Sequence, residues 1–577
     1  MTDPRKNARD EWIARAVVVV AAIATFARGV GGGLVPSWDD GRFLVENPDA
    51  QHVSWDALVR MWSAPRFEAY QPLHLLSYWI DVPWAGPSAP VVHAVSLALW
   101  CGALLLVLAL MRKLGLSLVP AVIATLFFGL HPVQVEAVTW ATGRKDVLAV
   151  ALAAGSAIAH LGSERWNDRR AWISRALYVL AALTKTIVLP LPIVLFAADV
   201  VLRKRDARSA AIAQVPSFVI GAALAVVVVG LWRENEMIRT GSGSLSLVLA
   251  TYAHHLGTAL WPASVSPIYP LAREEAPSVA GTIIGCAAIV VTIVLAWRAR
   301  AHELGRRVLF GMIAFVVLLA PVSNVLPLHF QWHDRYVVLP LLGIAFVLGA
   351  CVDALRPNRV VVAIALALCA ALALRTVAYE NAWASDLALW QHAVSAQPRA
   401  FYAWLKLGEV RRDAGDHAGA LRAYQEAIEI APQLRLGHGA FMSALLLREE
   451  ARREITPSHA TETAQRFMMR MDDPVALREL AGEMAQMGYR DGVTYALARA
   501  LDIEPIPDER LERAAQVQLA QGNEWLARFY LSRMGRNPVI PEVIRYVERE
   551  RARERGEDET PPSPARAPTE TEEATRP

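Results

Sequence analysis

Long apolar runs, parted by short charged clusters, fill the chain up to about Thr376; beyond it the pattern becomes amphipathic, with dense charge. A helix crossing about 30 Å of hydrocarbon takes roughly 20 apolar residues. Such runs predict spans near 13–34, 90–111, 117–139, 146–162, 171–184, 186–202, 211–231, 279–297, 308–326, 336–354 and 359–377. Basic clusters fall between them at Arg5–Arg15, Arg112–Lys113, Arg165–Arg175, Arg203–Arg208, Arg298–Arg307 and Arg356–Arg359. If all face the cytoplasm, each interval between clusters holds an even number of crossings. The run 171–202, broken by Lys185, is then two crossings. The stretch 245–261 is none, and is laid in the interface as an amphipathic or re-entrant segment. Eleven spans result, the first a retained signal-anchor, with everything after about Val377 outside. The outer loops become 35–89, 140–145, the turn at Lys185, 232–278 and 327–335.

After residue 398 a period of 34 residues appears. Counted from Phe401, the residues Trp404, Leu407, Gly408, Gly415, Ala420, Tyr424, Ala427 and Pro432 occupy the signature positions of a tetratricopeptide repeat. Gly408 and Ala420 are small where two helices cross, Gly415 makes the turn, and Pro432 stops the second helix. Ala481, Gly488, Ala500 and Pro505 recur in register, followed by Ala515, Gly522, Ala527 and Leu531, and a degenerate copy fits between 435 and 473. The pattern predicts an all-α protein: a polytopic membrane domain over 1–377, a connector over 378–400, an α-solenoid of repeats over 401–541 and a charged, Pro-rich disordered tail over 549–577.

Composition changes this picture little. The chain of 577 residues carries a formal net charge of only +3, which gives no field for nucleic acid, and none is expected as a partner. Its four cysteines, Cys101, Cys286, Cys351 and Cys369, lie far apart in apolar runs and imply no disulfide framework or metal site.

Candidate chemistry gathers on the outer side. Asp39 and Asp40 follow the first span in SWDDGRFLVENPDA, where a carboxylate can take a proton from a hydroxyl or hold a divalent metal. Interfacial aromatics, Trp38, Trp55, Trp62, Tyr70, Tyr78, Trp79 and Trp84, crowd the same loop, and VSWDALVRMW reads as a helix lying on the bilayer. In HPVQVEAVTWATGRKDVLAV, His131 and Glu136 interrupt an apolar run, a costly placement that marks a paired or cavity-facing site. Arg144 and Lys145 follow in a short outer loop, against the usual charge bias. A lipid phosphate explains Arg144; for Lys145 alone, snorkelling to the interface suffices. The loop 327–335 brings His329, His333, Asp334 and Arg335 together, where the Arg335 fork suits bidentate phosphate binding; two His with one Asp could bind a metal, but the loop offers no further ligands. Lys185 is a further outer cation. His254 and His255 read as structural.

In series, WDDGRFLVENPDA, YQPLHLLSYWID, HPVQVEAVTWATGRKDVLA, LTKTIVLPLP, LWPASVSPIY, PVSNVLPLHFQWHDRYVVLPLLG and the repeats resemble the transmembrane-and-tetratricopeptide O-mannosyltransferases, the TMTC family, over roughly 36–432. The chain departs from the family pattern at Lys145, Thr186 and Asp334. The resemblance implies a C-type-fold membrane glycosyltransferase, and the short repeat array with eleven spans and basic turns reads as bacterial, which would place the protein in the inner membrane with its repeats in the periplasm. The resemblance also implies transfer of a hexose, mannose in the family, from a polyprenyl-phosphate donor to hydroxyl groups of protein acceptors held by the repeats. Asp39 and Asp40 would activate the acceptor, with or without a divalent metal. Arg144, Arg335 and Lys185 would bind the donor phosphate, supported by His131, Glu136, His333 and Asp334. Two other readings share the layout: an O-antigen polymerase or ligase, which usually carries its large outer loop later in the chain, and a non-enzymatic membrane-anchored scaffold, which leaves the acidic rim unexplained. A transporter would place its ionisable residues deep in the spans.

Overall fold

The computed structural model describes residues 4–63, 70–234, 244–272, 274–356, 358–431, 474–486 and 490–555, with isolated positions 437, 440, 468 and 469. The degenerate repeat expected over 435–473, Gly488 and the tail beyond 555 lie outside these, apart from those isolated positions. Helices make the fold, and no β-strand forms among the described residues. Each of the eleven apolar runs is helical, but the expected count of eleven spans is not met by length and composition. Among the described residues, six helices are long and apolar enough to cross a membrane: Asn7–Gly31, Ala89–Lys113, Ala207–Gly230, Val279–Arg298, Glu303–Val322 and Arg359–Ala384. A seventh appears if Leu118–Gly129 and Pro132–Val138, bent by 56°, form one span. The others fall short for visible reasons. Arg144–Leu161 opens with three charged residues, Arg169–Thr184 has 16 residues, and Thr186–Leu202 and Leu341–Ala354 are short. The chain is a multi-pass membrane protein.

The first span buries Ala14, Val18, Ala22 and Phe26 against the second span and the last. The last span is tied to the bent segment through Thr376, whose hydroxyl donates to the Leu130 carbonyl at 2.7 Å. The Val279–Arg298 helix keeps most of its apolar surface open, as a lipid-facing helix does. Leu245–Leu260, expected in the interface, is a helix of 16 residues packed on Val279–Arg298, with Tyr252 donating to the Val316 carbonyl at 3.1 Å.

The loop 35–89 folds into a cap of short helices. Trp55–Ser63 buries Ala57 and Met61, the latter against Phe43 and Leu75, and leaves Trp55 and Trp62 outside. This is the amphipathic helix predicted for the bilayer surface.

Residues 378–400 are more than a linker. Trp383, Leu389, Trp390 and Ala393 are buried, and the Asp386–Ala396 helix begins at a Ser385 cap. The first repeat follows as Phe401–Asp413 and His417–Ile430. A Cβ on Gly408 would lie 2.2 Å from the Tyr424 ring, so only glycine admits this helix crossing. The turn between the helices uses Gly415 at φ 83°. Compact packing divides the chain after Ala431, so the first repeat belongs with the membrane half. The second unit, Pro432–Pro577, contains the paired helices Pro474–Gln486 with Arg490–Ile503 and Asp508–Ala520 with Glu524–Ser532. Ala481, Ala500, Ala515 and Ala527, which recur in register with the first repeat, are all buried there.

Candidate functional site

Pro36–Val45 forms one wide turn that carries Trp38, Asp39 and Asp40. Their side chains part company. Asp40 is fully buried: its Oδ2 accepts the Val35 N–H at 2.9 Å, and its Oδ1 accepts the Thr142 N–H at 3.0 Å and hydroxyl at 2.6 Å. Burial raises this carboxyl to about 6, against the pull of those three donors. Asp39 keeps some exposure and accepts from Arg42 Nε at 3.0 Å. Asp40 thus pins the turn to the loop 139–143, and Asp39 is the member of the pair that faces out of it.

The loop after Glu136 is wound tightly. A Cβ on Gly143 would lie 1.9 Å from the Glu136 carbonyl oxygen, so glycine alone allows the close approach. The turn places Arg144 and Lys145 at the head of one helix pointing different ways. Arg144 is wholly buried and spends all five N–H donors inside the protein. Nη1 and Nη2 clasp Asp81 at 2.9 and 2.5 Å, and the rest go to Ser96 and the carbonyls of Ser77 and Val92. The phosphate role expected of Arg144 is therefore without a donor. Lys145, set aside on sequence as a snorkelling cation, is the opposite case. Its Nζ lies over the Trp140 and Phe43 rings, 5.0 and 5.4 Å from their centroids, with no ion pair or hydrogen bond among the described residues. The available signal was its place beside Arg144, about 100° round the helix and hence aimed at a different environment.

Arg335 is mostly buried, over the rings of Trp38 and Trp140 at 5.7 and 5.5 Å, and Nη1 reaches Glu136 Oε2 at 3.3 Å. Lys185 is ion-paired with Asp146, a partner the sequence reading did not single out. Lys145, Lys185 and Arg335 lie within electrostatic range of one another and of Asp146, and Asp39 is within range of Lys145 and Arg335. The structure therefore brings together Asp39, Glu136, Lys145, Lys185 and Arg335, framed by Trp38 and Trp140.

The remaining candidates are scaffold in geometry. Asp334 accepts from Tyr269 Oη at 2.7 Å and Ser266 N–H at 2.8 Å. His333 donates from Nδ1 to the Pro267 carbonyl at 2.7 Å, and burial pushes its pKa well below the usual value, so it is neutral. His131 accepts the Val133 N–H at 3.3 Å and caps the turn that leads to Glu136. Trp38 meets Phe330, His333 and Trp390 edge to face. No three His, Cys, Asp or Glu side chains among the described residues converge as metal ligands. With both Asp40 oxygens engaged by N–H and O–H donors, the Asp39–Asp40 pair as placed does not fit a divalent cation.

No family model matches the chain. Human protein O-mannosyl-transferase TMTC4 is 27% identical over 194 residues, 30% of this chain and 26% of that protein. The Caenorhabditis elegans protein O-mannosyl-transferase F38B6.6 is 23% identical over 474 residues, 74% of this chain. The chain is TMTC-like in sequence. The TMTC match spans only about a quarter of the human protein and 64% of the nematode one. Among solved structures, ArnT from Cupriavidus metallidurans bound to undecaprenyl phosphate superposes with a TM-score of 0.36 at 15% identity, over 88% of this chain and 94% of that one. A superposition at that score carries no weight for fold or function.

Proposed function

We propose that the protein is a membrane glycosyltransferase that moves a hexose, mannose by its TMTC likeness, from a polyprenyl-phosphate donor to hydroxyl groups of extracytoplasmic protein acceptors. The observation that carries this reading is the partly open carboxylate of Asp39 within range of Lys145 and Arg335. In the proposed reaction the acceptor oxygen attacks the sugar's anomeric carbon as the bond from that carbon to the phosphate oxygen breaks. The bonding pair leaves with the phosphate, and the hydroxyl proton passes to Asp39. Arg335, Lys145 and Lys185 supply fixed positive charge where the leaving phosphate gains negative charge. Among the described residues Arg335 donates to Glu136 through Nη1, and its other N–H groups leave the fork able to hold a second partner. Asp40, Thr142 and Gly143 hold the geometry.

The test is transfer from a polyprenyl-phosphate mannose to a Ser- and Thr-bearing acceptor by the purified protein in lipid. Asp39→Asn is expected to lower kcat by roughly 10²–10⁴-fold, the range for a positioned acid–base group. A chelator is expected to leave the rate unchanged. Near-normal transfer by Asp39→Asn would end this reading.

A further inference from the structure

A cleft of about 490 Å³ opens where the Leu245–Leu260 and Val279–Arg298 helices part. At one level the two helices touch: a Cβ on Gly285 would lie 2.5 Å from the Ala253 Cβ, and Cys286 Sγ meets the Leu249 carbonyl at 3.4 Å. Toward the loop 261–278 they separate, and that loop is anchored to the chain leading into the first repeat. Gln397 Nε2 donates to the Ser264 carbonyl at 3.2 Å, His392 meets the Val265 carbonyl at 2.9 Å, and Arg399 donates to the Glu274 carbonyl at 3.0 Å.

His254 in the cleft wall lies flat against Trp332, with 4.9 Å between centroids and 18° between planes, and edge-on to Tyr269 at 4.8 Å. Its Nε2 is buried with no partner among the described residues. A buried polar group left unpaired costs about 1–3 kcal/mol, which a hydrogen-bonding ligand recovers. The rest of the lining alternates small apolar positions such as Gly257 and Gly281 with the hydroxyls of Thr258 and Ser278. The Thr258 and Ser278 hydroxyls already have partners in the His254 carbonyl and the Gly281 N–H, so the group that asks for a ligand is His254 Nε2, which a peptide amide can meet and a hydrocarbon chain would leave unpaired.

The stretch Ser264–Pro270 links the cleft to the loop that precedes Arg335. Val265 and Tyr269 line the cleft. From the same stretch, Ser266 and Tyr269 bind Asp334, and the Pro267 carbonyl holds His333, the residues just before Arg335. We propose that this cleft binds polypeptide, holding the extended acceptor segment that flanks the hydroxyl to be modified. The proposal rests on the transferase reading above and assigns its acceptor side to the membrane half, next to the chain that enters the repeats.

Gly257 gives a clean probe, because a Cβ there would meet no atom within 4 Å. Gly257→Phe therefore fills the cleft without displacing the protein, and His254→Phe keeps the ring stack while removing the nitrogen. Binding of fluorescein-labelled short peptides, with a central Thr and randomised flanks, is followed by anisotropy on the purified full chain in lipid nanodiscs. Saturable binding to wild type is expected, weakened about tenfold or more by Gly257→Phe and by the worth of about one hydrogen bond by His254→Phe. Equal affinity in wild type and Gly257→Phe, or no saturable binding to wild type, overturns the proposal. So does unchanged peptide binding with loss of a co-purifying lipid, detected by mass spectrometry, which would make the cleft a lipid site. Peptide binding that Gly257→Phe abolishes, in a protein that transfers no sugar, upholds the cleft and removes the transferase reading. Transfer by Gly257→Phe at the wild-type KM for peptide does the reverse.

Discussion

At the scale of the residue, charge at the outer rim divides into groups that are consumed by the fold and groups that are left over. Arg144 and Asp81 form a wholly buried, bidentate pair, and removing one partner of such a pair costs about 3–5 kcal/mol because the other is stranded. Arg144→Ala is expected to abolish recovery of folded protein, as read by size-exclusion chromatography in detergent. Arg335→Lys, which keeps a cation beside the buried Glu136, is expected to elute as wild type and to lower transfer by removing the fork; normal transfer by Arg335→Lys would reduce Arg335 to an interfacial anchor. Asp40 makes a further prediction through pH. Its carboxyl, raised to about 6 by burial, must be ionised to accept three donors at once, and protonation below that pH loosens the turn carrying Asp39. Transfer should therefore rise as pH increases through about 6. Thr142→Val removes a hydrogen bond that lowers this pKa, so the rising limb should move to higher pH. A limb unmoved in Thr142→Val would mean that another group controls it.

At the scale of the element, the first repeat belongs physically to the membrane half. His329 Nε2 meets Tyr402 Oη at 3.0 Å, the Phe330 and Tyr402 rings lie 5.2 Å apart, and Phe330 meets Trp38, the neighbour of Asp39. Phe401 N–H donates to the buried Glu274 at 3.3 Å, and Ser37 bonds Asp386 and Trp390 on the helix before it. Chain ending at Ala431 should therefore keep a folded membrane half and transfer to short peptides, whereas chain ending at Gln397 should lose both, measured by thermal unfolding in detergent and by peptide transfer. Equal behaviour of the two truncations would show that the first repeat is dispensable to the site. The repeat signature from Phe401 to Pro432 was legible because it depends on local helix crossing. Its attachment to His329 and Glu274 was not, since those partners lie far away in sequence.

At the scale of the molecule, the alternation of basic clusters with apolar helices predicts which side each segment occupies. Single cysteines at Ser209 and Gln521, both exposed, are expected to react with a membrane-impermeant maleimide from opposite faces of the membrane, the second from outside. Labelling from the same face would overturn the orientation and separate the repeats from the Asp39 rim. Short helices such as Arg169–Thr184, about 24 Å long at 1.5 Å per residue, are apolar enough to be noticed and too short to be judged alone.

By itself, the sequence determined the helical class, the apolar membrane helices and the TMTC likeness, because hydrophobic periodicity and motif order are local properties of the chain. It also marked Asp39, Arg335 and Lys185. Only the tertiary structure decided between neighbours that look alike in one dimension. Asp39 is partly open and Asp40 is buried under three donors; Lys145 lies over two rings without an ion pair among the described residues, and Arg144 is spent on Asp81. The reason is that a side chain's availability depends on which distant groups, here Thr142, Asp81 and Ser96, arrive to satisfy it when the helices pack, and adjacent residues on a turn face different partners.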